Sequence, residues 1–304
     1  MRAAALIALF AAVLAGPGAL AQTAPADDAQ ALARRARRLQ IDGGLDESRA
    51  LYERALRQDP ALFDAQLGLG IVLDLVGRYD EARTHFAKAI ESAPEGAKDQ
   101  ALTAMGVSYA FQSDARSAAK YFQQEYDRQE TAGNLQGASE TANALGRVYL
   151  ESGDPKEAYT WYETGYETAR RQPNLPANER DLAELRWAHA RARIAARRGR
   201  AAEAHAQEAA VKALVAKGDN ADQAIQLPYL AGYVDFHLKR YRNAVTELQQ
   251  ADQKDPFILV MLAQAYERLG DAPRARALYE RVAGSTAHSI NNAFARPIAQ
   301  KKLR

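Results

Sequence analysis

Apolar residues recur every three or four positions along much of the chain, which places them on one face of an α-helix. The stretch from Tyr79 to Pro94 shows the pattern clearly, because Ala82, Phe86 and Ala89 fall on the same face. Alanine is abundant, and β-branched residues are sparse outside a few short runs. Both features favour helix over sheet. The pattern therefore predicts an all-α fold.

The helical segments also repeat one another, and two of them align without a gap. In both, a Leu-Gly pair is followed by a large residue, a glycine, and then alanine and an aromatic residue four positions apart. The matching positions are Leu69, Gly70, Leu73, Gly77, Ala82 and Phe86 in the first segment and Leu145, Gly146, Tyr149, Gly153, Ala158 and Tyr162 in the second. The inner glycine predicts the end of one helix. Asp80 and Asp154 are expected to cap the helix that follows.

This pattern resembles the tetratricopeptide repeat, whose signature is L-G-x2-Y, then A-x3-F, then P. The resemblance covers roughly residues 29–283 and implies a right-handed superhelical solenoid of about seven helix pairs. The pairs are expected to start near residues 29, 63, 99, 139, 185, 225 and 256, and the copy near 185 is degenerate. Each pair is too small to bury its own apolar face, so neighbouring pairs must stack. Residues 284–304 are expected to form a C-terminal capping helix or tail, in which Phe294 and Ile298 cover the last pair and Pro297 limits the helix.

The N-terminal residues have a different character. Residues 1–21 contain Arg2, an apolar run of 13 residues and the small-residue site Ala19-Leu20-Ala21, which is the pattern of a cleaved secretory signal. An N-terminal anchor or a buried helix is the alternative, although the run is short for a bilayer. Residues 22–28 are expected to be a flexible linker. The chain has no cysteine for lipid attachment, and no later apolar stretch reaches membrane length. We therefore expect a soluble exported protein, periplasmic or secreted, without stable membrane insertion after signal removal.

The sequence offers no strong candidate for catalysis. It has no Gly-rich phosphate loop, no G-x-S-x-G and no H-E-x-x-H, and the absence of cysteine excludes thiolate chemistry. Glu81 and His85 share a helix face, but no acid–histidine pair recurs at equivalent positions, so both are interpreted as solvent-facing. The scattered histidines are expected on helix surfaces: His85, His189, His205, His237 and His288. No catalytic residue, metal site or cofactor is predicted.

The formal net charge of +2 gives no overall attraction to nucleic acid. Arginine is nonetheless clustered, at Arg34, Arg35, Arg37 and Arg38 and again between residues 170 and 200. The clusters are either solvated helix faces or a cationic surface for an acidic partner, an anionic polymer or lipid head groups. Nucleic acid is not expected as a partner of an exported protein.

In the repeat arrays that this sequence resembles, the first helix of each pair lines a concave groove. The residues expected there form three stripes at helical spacing: Asn143 and Arg147; Arg186, His189 and Arg193; and Tyr229, Tyr233 and Phe236. Arginine can hold a carboxylate by two parallel hydrogen bonds. An earlier, apolar part of the groove is expected at Leu67, Ile71, Thr103, Val107 and Phe111, either as a binding surface or as core.

These observations favour a non-catalytic exported scaffold or adaptor that binds a segment of another envelope protein through its groove. Two alternatives remain open at this point. One is a protein that binds a small ligand or polymer in the groove, and the other is a subunit of an enzyme that modifies envelope polymers.

Overall fold

The computed structural model describes residues 28–304, and within this range it contains fifteen α-helices and no strand. The all-α fold is confirmed. The predicted signal at 1–21 and nearly all of the predicted linker at 22–28 lie outside the described residues. The helices are α1 (Ala29–Ile41), α2 (Leu45–Gln58), α3 (Phe63–Leu75), α4 (Tyr79–Ser92), α5 (Lys98–Ala110), α6 (Ala115–Thr131), α7 (Leu135–Glu151), α8 (Pro155–Arg170), α9 (Ala177–Arg197), α10 (Ala201–Ala216), α11 (Leu227–His237), α12 (Tyr241–Leu248), α13 (Pro256–Arg268), α14 (Ala272–Ala283) and α15 (Ile290–Leu303).

Helices α1 to α14 pack against one another in chain order and form a solenoid. Some successive odd-numbered helices also contact each other, namely α1 and α3, α3 and α5, α9 and α11, and α11 and α13. We call their shared surface the odd-helix face. Helix α9 begins at Ala177, well before the expected start near 185. The sequence pattern placed the start too late because the first turns of α9 are polar and carry no apolar periodicity.

Small residues let the two helices of a pair approach closely. A Cβ atom at Gly106 would lie 2.6 Å from the ring of Phe122, and one at Gly146 would lie 2.9 Å from the ring of Tyr162. Both rings are almost completely buried. The aromatic side chain of the second helix therefore occupies the space that the glycine of the first helix leaves open.

The expected caps are only partly present. The carboxylate of Asp154 accepts hydrogen bonds from the backbone N–H groups of Lys156 and Glu157, at 3.2 and 3.1 Å, and so caps α8. Asp80 instead lies inside the first turn of α4, which begins after Arg78 without a side-chain cap. Its charge still lies near the positive end of the helix dipole.

The C-terminal segment does more than cover the last pair. We call residues 285–304 the strap. Its helix α15 packs on α13 and α14, as a cap would, but it also contacts α5 and α7. Before α15, the Thr286 hydroxyl donates to the carbonyl of Ile41 at 3.2 Å. The Arg296 Nε donates to the carbonyl of Leu75, also at 3.2 Å. The strap therefore connects the end of the solenoid to its first half.

One expectation about this segment needs correction. Pro297 does not limit α15, which continues to Leu303 because Phe294, Ala295 and Ala299 are buried on either side of the proline.

Of the two alternatives for the apolar residues of α3 and α5, the structure favours core. Leu67, Val107 and Phe111 are buried, whereas Ile71 and Thr103 are half-buried. The ring of Phe111 lies 5.7 Å from the ring of His288 in the strap.

Candidate functional site

A cavity of about 370 Å³ opens on the odd-helix face. Its walls come from α7, α8 and α9, from the short 3-10 helix Ala221–Gln226, and from the start of α15. Five of the predicted groove residues line it together: Asn143, Arg147, Arg186, His189 and Arg193. Residues from two predicted stripes therefore meet in one site.

Arg193 is the most deeply placed cation of the cavity, with only 5% of its surface exposed. Its Nη2 donates to the hydroxyl of Tyr162 at 2.8 Å. Its guanidinium carbon lies 5.3 Å from the ring centre of Tyr162 and 5.9 Å from that of Tyr233. Its Nε and Nη1 have no hydrogen-bond partner. The guanidinium is thus held by aromatic rings while part of its donor capacity is unused.

Arg147 is half-buried and is held in the same way. Its Nη2 donates to the hydroxyl of Tyr229 at 3.5 Å, and its guanidinium carbon lies 4.8 Å from the ring centre of Phe257. Its Nε has no partner. Within the described residues, neither Arg147 nor Arg193 forms an ion pair with a carboxylate. Two guanidinium groups therefore share one cavity without a salt bridge, and the charge of Glu151 favours the charged form of both from a longer distance.

The carboxylate closest along the chain to Arg147 on α7 is already engaged. Glu151 pairs with Arg197 at 3.3 Å, and it accepts a hydrogen bond from the hydroxyl of Tyr233 at 3.0 Å. At the mouth of the cavity, Glu140 lies 3.7 Å from Arg186. The acidic groups near the cavity thus have other cationic partners.

His189 adds a neutral ring to this cavity. Burial lowers the pKa of its imidazole well below the usual value, and the charges of Arg193 and Arg147 lower it further. Its Nε2 has no hydrogen-bond partner. Asn143 uses its amide to donate to the carbonyl of Ser139 at 2.9 Å. The cavity therefore combines two arginines without a salt bridge, a third arginine that pairs with Glu140, a neutral imidazole and the amide of Asn143.

The third predicted stripe does not line this cavity. Tyr229 and Tyr233 are buried behind it, where they contact the two arginines. Phe236 lines a different cavity of about 670 Å³, which also includes Phe257 and Phe294. The stripe is divided in this way because α11 packs against α9, α12 and α13, which leaves little of its surface free.

Sequence reasoning missed several residues of the cavity. The repeat pattern predicts Tyr162 only as a packing residue, yet its hydroxyl also accepts a hydrogen bond from Arg193. A tyrosine where the repeat signature has phenylalanine was the one available signal. Gln223, Gln226, Ile290 and Asn291 reach the cavity from distant parts of the chain, and no local pattern indicated them.

The histidine expectation is wrong for several positions. His288 has a side chain only 7% exposed, and His189 and His237 are at least half-buried. Burial lowers the pKa of His237 to about 3, and the charge of Arg197 acts in the same direction. His85 and Glu81 do not pair, since His85 hydrogen-bonds Gln66 at 2.6 Å and Glu81 binds Arg78.

Within residues 28–304, no group of three or more His, Asp or Glu side chains is arranged to hold a metal ion. Among the described helices, none combines the length and the apolar character that a membrane crossing requires.

Comparison with known proteins agrees with the fold. One tetratricopeptide repeat profile matches residues 33–97 and 103–176, and a second matches residues 256–281, so that more than half of the chain is covered. No curated protein sequence matches.

A tetratricopeptide repeat protein from Parabacteroides merdae ATCC 43184 has a similar structure, with a TM-score of 0.51 and 12% identity. The similarity covers 90% of this chain and 98% of that chain. A putative kinesin light chain from Podosopora anserina, with nearly identical TPR-like repeats, has a TM-score of 0.49 and 17% identity, over 63% of this chain and 96% of that chain. The chain belongs to the tetratricopeptide repeat family.

Proposed function

We propose that this protein is a non-catalytic exported scaffold that binds a segment of another envelope protein on its odd-helix face. The fold supports a role in protein–protein interaction, because stacked helix pairs expose extended surfaces. The observation that carries the proposal is the cavity at Arg147 and Arg193, where two guanidinium groups form no salt bridge and keep nitrogens without a hydrogen-bond partner. An acidic group of a partner would provide hydrogen-bond acceptors and a negative charge for these two arginines.

A crosslinking experiment tests the location of partner binding. Arg186 is exposed at the cavity mouth, and Arg180 is exposed on the same helix outside the cavity. We expect a photoreactive residue at position 186 to give a discrete crosslinked product in cells, and the same residue at position 180 to give little. Equal products from both positions, or none from position 186, contradict the proposal.

Export has its own test. If residues 1–21 are a cleaved signal, the mature protein begins at Gln22 and is found outside the cytoplasm. Mass spectrometry of the protein from fractionated cells measures both. An intact N-terminus on the cytoplasmic protein contradicts this part of the proposal.

The size of the cavity also supports the second candidate, a protein that binds a small ligand. A volume of about 370 Å³ lies at the lower end of the range of small-molecule sites, which is roughly 300–1,000 Å³. No comparable observation supports binding of a polymer or a role as a subunit of a polymer-modifying enzyme.

A further inference from the structure

We propose that the larger cavity, lined in part by Phe236, Phe257 and Phe294, binds a free, uncharged small molecule with an apolar body and one hydrogen-bonding group. We call it the strap cavity, because α15 forms one of its walls. It shares no lining residue with the cavity at Arg147 and Arg193. The inference therefore goes beyond the proposed function and does not depend on it.

The strap cavity lies where the end of the solenoid meets its first half. Its walls come from the C-terminal ends of α7, α9 and α11, from α13, from the turn after α5 and from the strap. They meet because α15 packs on α13 and α14 and also reaches α5 and α7. The volume of about 670 Å³ lies within the range of small-molecule sites, roughly 300–1,000 Å³. Walls on several sides favour a small molecule over an extended peptide.

Large apolar side chains form much of the wall. They come from four separate segments of the chain: Phe111, Phe236, Phe257, Met261, Phe294 and Ile298. An apolar ligand removes part of their surface from water, which is favourable. The wall therefore suits an aliphatic or aromatic body.

The charged groups of the strap cavity pair with one another. Glu151 pairs with Arg197 at 3.3 Å, and Glu267 pairs with Lys302 at 2.6 Å. Arg268 is exposed and therefore stays hydrated. A charged ligand has to break one of these pairs or enter the apolar part of the cavity without a counter-ion, and both are unfavourable. The cavity therefore selects against charge.

Two polar side chains of the wall make no hydrogen bond within the described residues, and they are His237 and Gln264. Burial lowers the pKa of His237 to about 3, and the charge of Arg197 acts in the same direction, so the ring is neutral at ordinary pH. A neutral imidazole has one donor and one acceptor nitrogen. Its ring centre lies 4.4 Å from that of Tyr233 and 5.2 Å from that of Phe236, which fixes its position. A hydroxyl, amide or amine group of a ligand can pair with it.

Fluorescence titration of the purified protein tests the proposal with two matched probes. N-phenyl-1-naphthylamine is uncharged, has an aromatic body and one N–H group, and becomes brighter in apolar surroundings. 8-Anilinonaphthalene-1-sulfonate has the same framework with an added sulfonate charge. We expect saturable binding of the uncharged probe, at least about tenfold tighter than binding of the sulfonate.

Two variants connect binding to the strap cavity. Ile298→Asp places a charge on its wall and is expected to weaken binding of the uncharged probe at least about tenfold. Ile225→Asp is the matched control, since Ile225 is 62% exposed and lies outside the cavity, and it is expected to bind normally. His237→Phe keeps an aromatic ring without the nitrogens and is expected to weaken binding about threefold to tenfold. If Ile298→Asp fails to fold, His237→Phe still decides the question.

Hydrogen exchange measured by mass spectrometry locates the bound probe without any substitution. A ligand that binds only the folded segment slows the opening of that segment. We expect the backbone amides of α13 and α15 to exchange more slowly when the uncharged probe is bound. Those of α1 and α2, which do not line the cavity, are expected to be unchanged.

Several results overturn the proposal. They are no saturable binding of the uncharged probe, equal or tighter binding of the sulfonate, unchanged binding in both Ile298→Asp and His237→Phe, or slower exchange only outside α13 and α15. N-acetyltryptophanamide, which represents an uncharged aromatic side chain of a partner, is titrated in the same way. Tighter binding of this compound than of N-phenyl-1-naphthylamine assigns the cavity to a partner side chain and overturns the assignment to a free small molecule. Crosslinking at position 186 is independent of all these outcomes.

Discussion

His288 fixes the strap to the first half of the solenoid, and its replacement by alanine is expected to release the strap. The Nε2 of His288 lies 2.8 Å from the Oδ2 of Asp74, and the Oδ1 of Asp74 accepts a hydrogen bond from the Ser108 hydroxyl at 2.9 Å. The imidazole ring also lies 5.6 Å from the ring of Phe86 and 5.7 Å from that of Phe111. His288→Ala removes the contact with Asp74 and both ring contacts, whereas the hydrogen bond between Ser108 and Asp74 stays.

The size of the effect follows from these contacts. A hydrogen bond to a charged group contributes about 1.5–3 kcal/mol, and each aromatic contact adds roughly 0.5–1.5 kcal/mol. These terms are not fully additive, because one ring makes all of the contacts. We therefore expect His288→Ala to lower the free energy of strap opening by about 3 kcal/mol, which is roughly a 100-fold increase in the open population.

Hydrogen exchange measured by mass spectrometry is the appropriate assay, because repeat proteins open locally as well as globally. The backbone amides of α15 are expected to exchange much faster in His288→Ala, while those of α9 and α10 change little. His205→Ala is the control, since His205 lies on α10 with 40% of its side chain exposed. Exchange of α15 within about threefold of the wild type would refute the anchoring role. An equal increase in every helix would show that the strap does not open as a separate unit.

Three other predictions concern the solenoid itself. Gly106→Ala is expected to destabilise the chain by about 1–3 kcal/mol in urea denaturation, because the added Cβ would lie 2.6 Å from the Phe122 ring; an unchanged midpoint would show that the pair can separate freely. Asn134→Ala removes a side-chain oxygen that accepts from the first turn of α7, and should lower stability by about 1 kcal/mol by the same assay. Burial raises the pKa of Glu125, although hydrogen bonds from Thr103 and Thr141 act in the opposite direction. The free energy of unfolding of the wild type therefore decreases as the pH rises and this buried carboxyl group becomes charged. The stability of the non-titrating variant Glu125→Gln relative to the wild type should therefore increase as the pH rises above about 4.5, the ordinary pKa of a glutamate, and a difference that does not change with pH would contradict the burial argument.

The packing positions within each repeat were predictable from the sequence. Ala82, Phe86, Ala118, Phe122 and Tyr162 are all buried, as the spacing indicates. The reason is that helical periodicity is a local property, so residues three or four positions apart must share a face whatever surrounds the helix. The family resemblance rests on the same positions and is confirmed.

The candidate site was predictable only in part. Asn143, Arg147, Arg186, His189 and Arg193 meet in one cavity, because they lie on neighbouring odd-numbered helices. The spacing on α11 indicated a stripe that includes Tyr229 and Tyr233, but both are buried. A stripe at helical spacing shows that residues share a face, and it does not show whether that face meets solvent or another helix.

The sequence by itself determined the all-α class, the repeating unit, the residues that fill each pair and the two arginine-bearing helices of the cavity. All of these depend on contacts between residues close together in the chain or in equivalent positions of adjacent repeats. The tertiary structure decided which arginines are buried and where the strap lies. His288 and Asp74 are 214 residues apart, and Ile290 closes a cavity whose arginines come from α7 and α9. Contacts of this kind leave no local periodicity in the sequence, because they depend on how the whole solenoid brings distant helices together.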